Sequence, residues 1–207
     1  MQVPPSSGLL IVDVQNDFCA GGALAVPDGD AVVPVINGLA ERAAAAGVPV
    51  FASRDWHPRH SAHFAEHGGA WPVHCVQGTR GAAFHPDLRL PQGTVVVTKG
   101  DQPEDEGYDA FDGRVSPGVP FGQALRARGV RHLVVVGLAT DYCVKSSALG
   151  AASAGFAVTV VEDAVRAVDV RAGDGARALD ELRAAGVRIT TSKQLLGEPE
   201  HGTHARR

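Results

Sequence analysis

Asp13 and Lys99 stand at the ends of short aliphatic runs and Cys143 shortly after another, and together they form a set of residues that can attack a carbonyl carbon. A thiolate attacks a carbonyl carbon, a task the neutral thiol performs poorly. Asp13 can take the thiol proton and return it to a departing amine, acting as general base and then acid. Lys99 would supply a fixed positive charge that holds the Asp13 carboxylate and favours the thiolate. Backbone N–H groups of Ala139 and Cys143, at the break before a helix, could form an oxyanion hole, with such donors worth about 10²–10³-fold in rate each. Taken singly, each residue has a plainer reading. Asp13 could cap a loop, Lys99 could solvate a strand terminus, and Cys143 could be a buried, inert thiol. Their joint placement at strand ends is what argues for chemistry.

A second constellation is Asp55-Trp56-His57, followed by His63 and His74. In an Asp-x-His step at a strand end both side chains point to one face. Carboxylate and imidazole donors suit zinc, iron or manganese rather than calcium. His60 and His67 read as ordinary loop residues. Phe18 and Trp71 lie in the two loops flanking these groups, where aromatic faces could stack on a planar ring or simply anchor the loops. Cys75, next to His74, reads as a small buried hydrophobe, and Cys19 as structural.

The elements that must position these groups alternate along the chain. Gly8–Val14 reads as a first buried strand, followed by a glycine-rich loop and a helix from Asp30, as its cap, to about Ala46, stopped by Gly47. Val48–Ser53 is a second strand, and Arg54–Gly93 a long irregular segment of the kind that is usually functional or disordered. Thr94–Thr98 is a third strand and Pro120–Arg128 a helix. Val134–Val136 suits a strand buried on both faces, with Gly137 ending the run. Thr140 or Asp141 is a natural N-cap for the helix that follows, and the positive end of that helix would lower the Cys143 pKa. Phe156–Val161 and Val187–Thr190 complete about six strands, with a helix over Asp174–Ala185 between them. Alternating strands and helices indicate an α/β fold, a three-layer open sheet, mostly parallel, with helices on both faces. Sites in such sheets gather outside the carboxyl ends of the strands.

At 207 residues the chain is read as a single domain over 1–207, with a core over 8–196 and a flexible polar tail over 197–207. A net charge of −4, with no basic run beyond Arg206-Arg207, argues against nucleic acid and anionic membranes as partners. Three scattered cysteines suit free thiols in a reducing compartment, and no apolar run approaches membrane-spanning length. The protein is therefore expected to be cytoplasmic. No GxGxxG or Walker-type loop supports nucleotide binding.

The motifs then match a family in order. Ile11-Val12-Asp13-Val14-Gln15-Asn16-Asp17-Phe18-Cys19 with Gly21-Gly22-Ala23-Leu24 resembles the opening of the nicotinamidases (pyrazinamidases) of the isochorismatase-like cysteine hydrolases. Arg54-Asp55-Trp56-His57-Pro58, Trp71-Pro72-Val73-His74-Cys75, Thr98-Lys99-Gly100 and Ala139-Thr140-Asp141-Tyr142-Cys143-Val144 extend the resemblance from about Leu9 to Thr190. The Asp…Lys…Cys series belongs to the superfamily at large, whereas the Asp-x-His and Trp-Pro-x-His-Cys motifs are more specific. The resemblance implies a doubly wound parallel sheet with Asp13, Lys99 and Cys143 as a triad. It also implies one divalent ion, zinc or else iron or manganese, on Asp55, His57, His63 and His74, holding the pyridine nitrogen of a small aromatic amide. By the same resemblance Phe18 and Trp71 sandwich the ring, Tyr108 closes the pocket, and a cis peptide falls at Leu138-Ala139. The implied reaction turns nicotinamide, and pyrazinamide, into the acid and ammonia through a thioester on Cys143, in NAD salvage, by a monomer or small homo-oligomer. The alternatives are another amidohydrolase of the superfamily acting on a carbamoyl or maleamate-type substrate, an ether hydrolase that needs no cysteine, and a non-catalytic metal-binding domain. Asp101–Glu106 is more acidic than the family pattern, which bears on pocket size and substrate breadth.

Overall fold

The computed structural model describes residues 3–197, so the tail expected from Gly197 onward lies, from residue 198, outside the described residues. Its centre is built from the most apolar segments of the chain. β1 (Ser7–Val12) is buried at every position and pairs in parallel with β2 (Val50–Asp55), which pairs in parallel with β3 (Val95–Lys99). Two-sided burial explains why β1 reads as a continuous apolar run rather than an alternating one. Leu9 and Ile11 face one core cluster and Leu10 and Val12 the other. Between β1 and β2 runs α1 (Val32–Ala45), which buries Val32, Val33, Ile36, Leu39, Ala40 and Ala43 against the first cluster.

The expectation of about six strands is corrected to eight among the described residues. Beyond β3 the chain adds β4 (Arg114–Val115) and β5 (Val119–Pro120), a short hairpin that extends the edge antiparallel to β3. Two-residue strands around Ser116-Pro117-Gly118 carry no periodicity of their own. Pairing of Val115 with Val97 makes them strands.

α2 (Phe121–Ala127) then leads into β6 (His132–Leu138). Gly137 was expected to end this strand, but β6 runs through it to Leu138. Gly137 has φ +116°, and a Cβ there would lie 2.1 Å from the Val12 carbonyl oxygen. Its value is therefore close passage along β1, not termination. After the cysteine segment come α3 (Lys145–Ser153), β7 (Ala157–Arg166), α4 (Asp174–Ala184), β8 (Arg188–Thr190) and α5 (Ser192–Leu196). β7 is longer than expected and its register with β6 shifts between Val135 and Gly137.

The sheet order is β5-β4-β3-β2-β1-β6-β7-β8. α1 and α5 contribute to one core cluster, and α2, α3 and α4 to the other, giving the three layers expected. The chain departs from β1 towards β2 on one side and meets β6 on the other. Order reverses there, and the crevice outside the strand ends opens at that switch point. No helix among the described residues is long and apolar enough to cross a membrane.

Candidate active site

Four strand ends deliver the sequence-predicted groups to this crevice. Asp13 follows β1 directly, in a left-handed conformation with φ +47° that turns its carboxylate inward. It is fully buried, accepts a hydrogen bond from Ser53 Oγ at 2.7 Å, and lies 2.7 Å from Lys99 Nζ. Lys99, the last residue of β3, is also buried and donates to Asp55 Oδ1 and to the Gly107 carbonyl oxygen. Its Nζ stands 3.6 Å from Cys143 Sγ. The Cys143 sulfur and carboxylate oxygens of Asp13 and Asp55 all lie within 4.8 Å of one another.

The electrostatics differ from the expectation of an acidified thiol. Burial pushes the Cys143 thiol well above its ordinary value, opposed by Lys99 and reinforced by Asp13 and Asp55. Burial likewise raises Asp13, to about 6, against the lowering effect of Lys99. Burial alone would push the Lys99 ammonium down, but the flanking carboxylates outweigh it and hold it well above its usual range. Burial would raise Asp55 as well, yet Lys99 and His57 hold it well below the normal carboxylate range. At neutral pH the resting pair is a protonated thiol beside an ionised Asp13, an arrangement suited to base-assisted attack.

The helix start also differs from expectation. Cys143 lies in a single π turn, Thr140–Val144, that precedes α3. Neither Thr140 nor Asp141 caps it. Ala139 is the N-cap, and no side chain bonds there. Asp141 instead accepts the N–H groups of Val168 and Asp169, at 3.0 and 2.9 Å, and so brings the Val168 loop to the site. Asp30, expected to cap α1, accepts from Ala20 N–H and bonds His85, while Ala31 occupies the cap position. The Leu138-Ala139 peptide is cis, as the resemblance implied.

On the other side of Asp55, His57, His63 and His74 bring ring nitrogens within 4.8 Å of one another. His57 is fully buried, and neither of its ring nitrogens has a hydrogen-bond partner among the described residues. An unpaired imidazole nitrogen in a buried cluster of donors fits a cation, one ion satisfying one nitrogen of the ring, since unpaired buried polar atoms are otherwise costly. His74 Nδ1 lies 2.7 Å from the Pro72 carbonyl oxygen. That oxygen can only accept, so Nδ1 carries the proton and Nε2 keeps a free lone pair. Burial, with His57 and His74 nearby, lowers His63 to about 4, and burial lowers His74. Both are therefore neutral at neutral pH, the state in which an imidazole can bind a metal. Asp55 Oδ2 sits 3.7 Å from His57 Nε2, so this carboxylate bridges the lysine and the histidine cluster. The residues fit a divalent ion. Gly100, at φ +66°, lets the turn after β3 lie against His57, where a Cβ would be 2.6 Å from Cε1.

Cys143 from the first constellation and Asp55, His63 and His74 from the second open on one small cavity of about 30 Å³, with Asp13, Lys99 and His57 buried behind them. Phe18, Trp71 and Tyr108 line it, with Ala139, Cys143, Asp55, His63 and His74. Trp71 Nε1 donates to the Tyr108 hydroxyl at 2.7 Å, which ties two separate loops together. Leu24, Tyr142 and Val168 also line the cavity and were not anticipated. Tyr142 meets Trp71 edge-on at 4.9 Å between ring centroids. Its place beside Cys143 was visible in the sequence, but its direction depends on the π turn. Val168 carries no local signal at all. His60 and His67 pair with each other, 5.8 Å between ring centroids, and line no part of the cavity. Cys75 is buried and its N–H is held by Asp17 at 2.7 Å. Residues 101–106 are exposed and do not line the cavity.

Comparison with known proteins places the chain in a family. A family profile described as "Isochorismatase domain" matches residues 7–194. The chain is 41% identical over 203 residues to the nicotinamidase of Escherichia coli (strain K12), covering 90% of this chain and 95% of that protein. It is 42% identical over 188 residues to the nicotinamidase/pyrazinamidase of Mycobacterium tuberculosis, covering 89% and 98%. The crystal structure of the Pyrococcus horikoshii pyrazinamidase in complex with zinc superposes with a TM-score of 0.83 at 39% identity, covering 90% of this chain and 99% of that one.

Proposed function

Because the chain belongs to the isochorismatase family, we propose that it is a nicotinamidase, hydrolysing nicotinamide and pyrazinamide to the acid and ammonia. The observation that carries this reading is that Cys143, with Lys99 Nζ 3.6 Å from its sulfur and Asp13 paired to that lysine, opens onto the same small aromatic-walled cavity as Asp55, His63 and His74.

In this reading the ionised Asp13 takes the Cys143 proton as the sulfur attacks the carboxamide carbon. Backbone N–H groups of Ala139 and Cys143 receive the developing oxyanion. The C–N bond then breaks, and protonated Asp13 gives its proton to the departing nitrogen, leaving ammonia and a thioester. Water adds to the thioester with Asp13 again taking the proton. Collapse expels the thiolate, which recovers that proton, and the carboxylic acid leaves. Lys99 keeps Asp13 ionised between steps and offsets negative charge on sulfur throughout. Asp55, His57, His63 and His74 would hold the divalent ion, zinc or else iron or manganese, and when bound it supplies a Lewis-acid anchor for the pyridine nitrogen. Phe18 and Trp71 would face the ring, and Tyr108 would hold Trp71 through its hydroxyl. We place the activity in a cytoplasmic NAD salvage route, in a single-domain protein acting as a monomer or small homo-oligomer.

Ammonia release from nicotinamide with and without chelator tests the proposal. Activity lost on chelation and restored by zinc is the expected result. Cys143→Ala should abolish ammonia release yet still bind nicotinamide. Turnover retained in Cys143→Ala, or activity on a carbamoyl or maleamate-type amide but none on nicotinamide, would overturn it.

A further inference from the structure

Gln15 is completely buried, and the mechanism above does not use it. β1 ends at Val12, and the left-handed turn at Asp13 carries the main chain away from β2. The last backbone rung between them is Asp13 N–H to the Ser53 carbonyl oxygen at 3.2 Å. Two residues further along β2, Asp55 has lost its β1 partner. The Gln15 carboxamide replaces it. Its Oε1 accepts the Asp55 N–H at 2.8 Å, and its Nε2 donates to the Asp55 carbonyl oxygen at 2.8 Å. The second Nε2 hydrogen goes to the Ala82 carbonyl oxygen at 2.9 Å. Two carbonyl acceptors and one N–H donor fix the orientation of the amide without ambiguity. A carboxylate of the same shape could not make these bonds.

The peptide clasped in this way belongs to the residue on which both constellations depend. On its opposite edge Asp55 is registered with Lys99 of β3, and Trp56 N–H bonds the Lys99 carbonyl oxygen at 3.0 Å. Held on both sides, Asp55 directs Oδ1 to Lys99 Nζ and Oδ2 towards His57. A small rotation of the Asp55 peptide would withdraw one of these oxygens. We propose that Gln15 is a positioning residue for the metal centre: by holding both the N–H and the carbonyl oxygen of Asp55 it fixes the carboxylate that completes the His57–His63–His74 cluster. The proposal rests on the reading that these residues hold a divalent ion.

The test is zinc affinity of the full chain, measured by competition with a chromophoric chelator. Gln15→Met keeps the volume and removes all three bonds. It should weaken zinc binding by about 10–100-fold, the range typical when an outer partner of a metal ligand is lost. Asn16→Ala is the control. Asn16 Nδ2 ties the same two loops through the Arg80 carbonyl oxygen at 2.7 Å but touches nothing on Asp55, so zinc affinity should stay at the wild-type value. Should Gln15→Met fail to fold, Gln15→Asn, one methylene short of both Asp55 bonds, carries the same expectation. Zinc bound by a folded Gln15 variant as tightly as by wild type would overturn the proposal, as would equal weakening in Asn16→Ala. Absence of zinc binding by the wild-type chain would instead overturn the metal reading itself.

Discussion

Replacing Lys99 with Met keeps most of the length of a side chain sealed inside the protein and deletes its charge, along with its hydrogen bonds to Asp55 and the Gly107 carbonyl oxygen. At 2.7 Å the Lys99–Asp13 pair carries about 6 kcal/mol of attraction at an effective dielectric near 20, and Asp55 adds a second contact. Desolvation of three buried charges offsets most of this, so the network as a whole stabilises the fold little. Removing the ammonium alone is different, because both carboxylates stay buried with no counter-charge. The expected loss is about 3–5 kcal/mol of folding free energy. The pH dependence follows from Asp13, whose folded pKa of about 6 lies above its unperturbed 3.8. A carboxyl raised on folding contributes stability that is full below 3.8 and lost as pH rises through about 6. Lys99 pulls that value down. Without it the folded pKa moves higher, and stability continues to fall above the pH at which the wild type has levelled off. The gap between wild type and Lys99→Met should therefore widen from about pH 6 to about pH 8. Urea unfolding in the presence of chelator, repeated across that range, measures it. A penalty under about 1 kcal/mol, the value of an exposed pair, would refute the reasoning. So would a gap that narrows as pH rises.

The same Asp13 value predicts the acid limb of catalysis. Since only ionised Asp13 accepts the thiol proton, kcat/KM should fall below about pH 6, and Asp13→Asn should lower it by about 10²–10⁴-fold with no limb remaining. Stopped-time ammonia assays across pH decide this, and a wild-type profile flat through pH 6 would contradict it. Asp109 offers a stability test outside the site. Burial raises it to about 6, while its Oδ1 accepts the Phe111 N–H at 2.8 Å. Its contribution is likewise full below 3.8 and lost as pH rises through about 6. Asp109→Asn keeps the acceptor without the charge. After discounting for partial exposure it should gain about 1–2 kcal/mol at neutral pH and nothing near pH 4. Thermal unfolding at the two pH values measures it, and equal gains at both would show that charge is not the cause.

Much of the fold was legible because its strands are buried on both faces. Leu9–Val12 and Val134–Val136 must be apolar throughout, and helices between such runs imply a parallel sheet. Asp13, Lys99 and Cys143 could be placed at strand ends for the same reason. The β4–β5 hairpin was not legible, because Val115 becomes a strand residue only by pairing with Val97. The capping roles given to Asp30 and Asp141 failed in a related way. Each is a good cap by type, but each found distant backbone or side-chain partners, His85 for one and the Val168 loop for the other. Competition between a local hydrogen bond and a tertiary one cannot be settled from local preference.

Composition and order alone determined that the chain carries an acid, a base-type cation, a thiol and a set of imidazoles at the ends of buried strands. They also determined that alternating elements gather those ends on one edge. Only the tertiary structure decided what state these groups occupy. Lys99 and Asp55 are 44 positions apart, yet share an ion pair that also reaches Asp13 and faces Cys143. The thiol expected to be acidified by a helix is instead held protonated by burial, beside an Asp13 whose own value burial raises to about 6. Gln15, one residue in a recognisable motif, became informative only when its amide was seen to occupy the missing rung beside Asp55. Residue type sets what chemistry is available. Desolvation and close charge pairing, which act through space and not along the chain, set which of it is used.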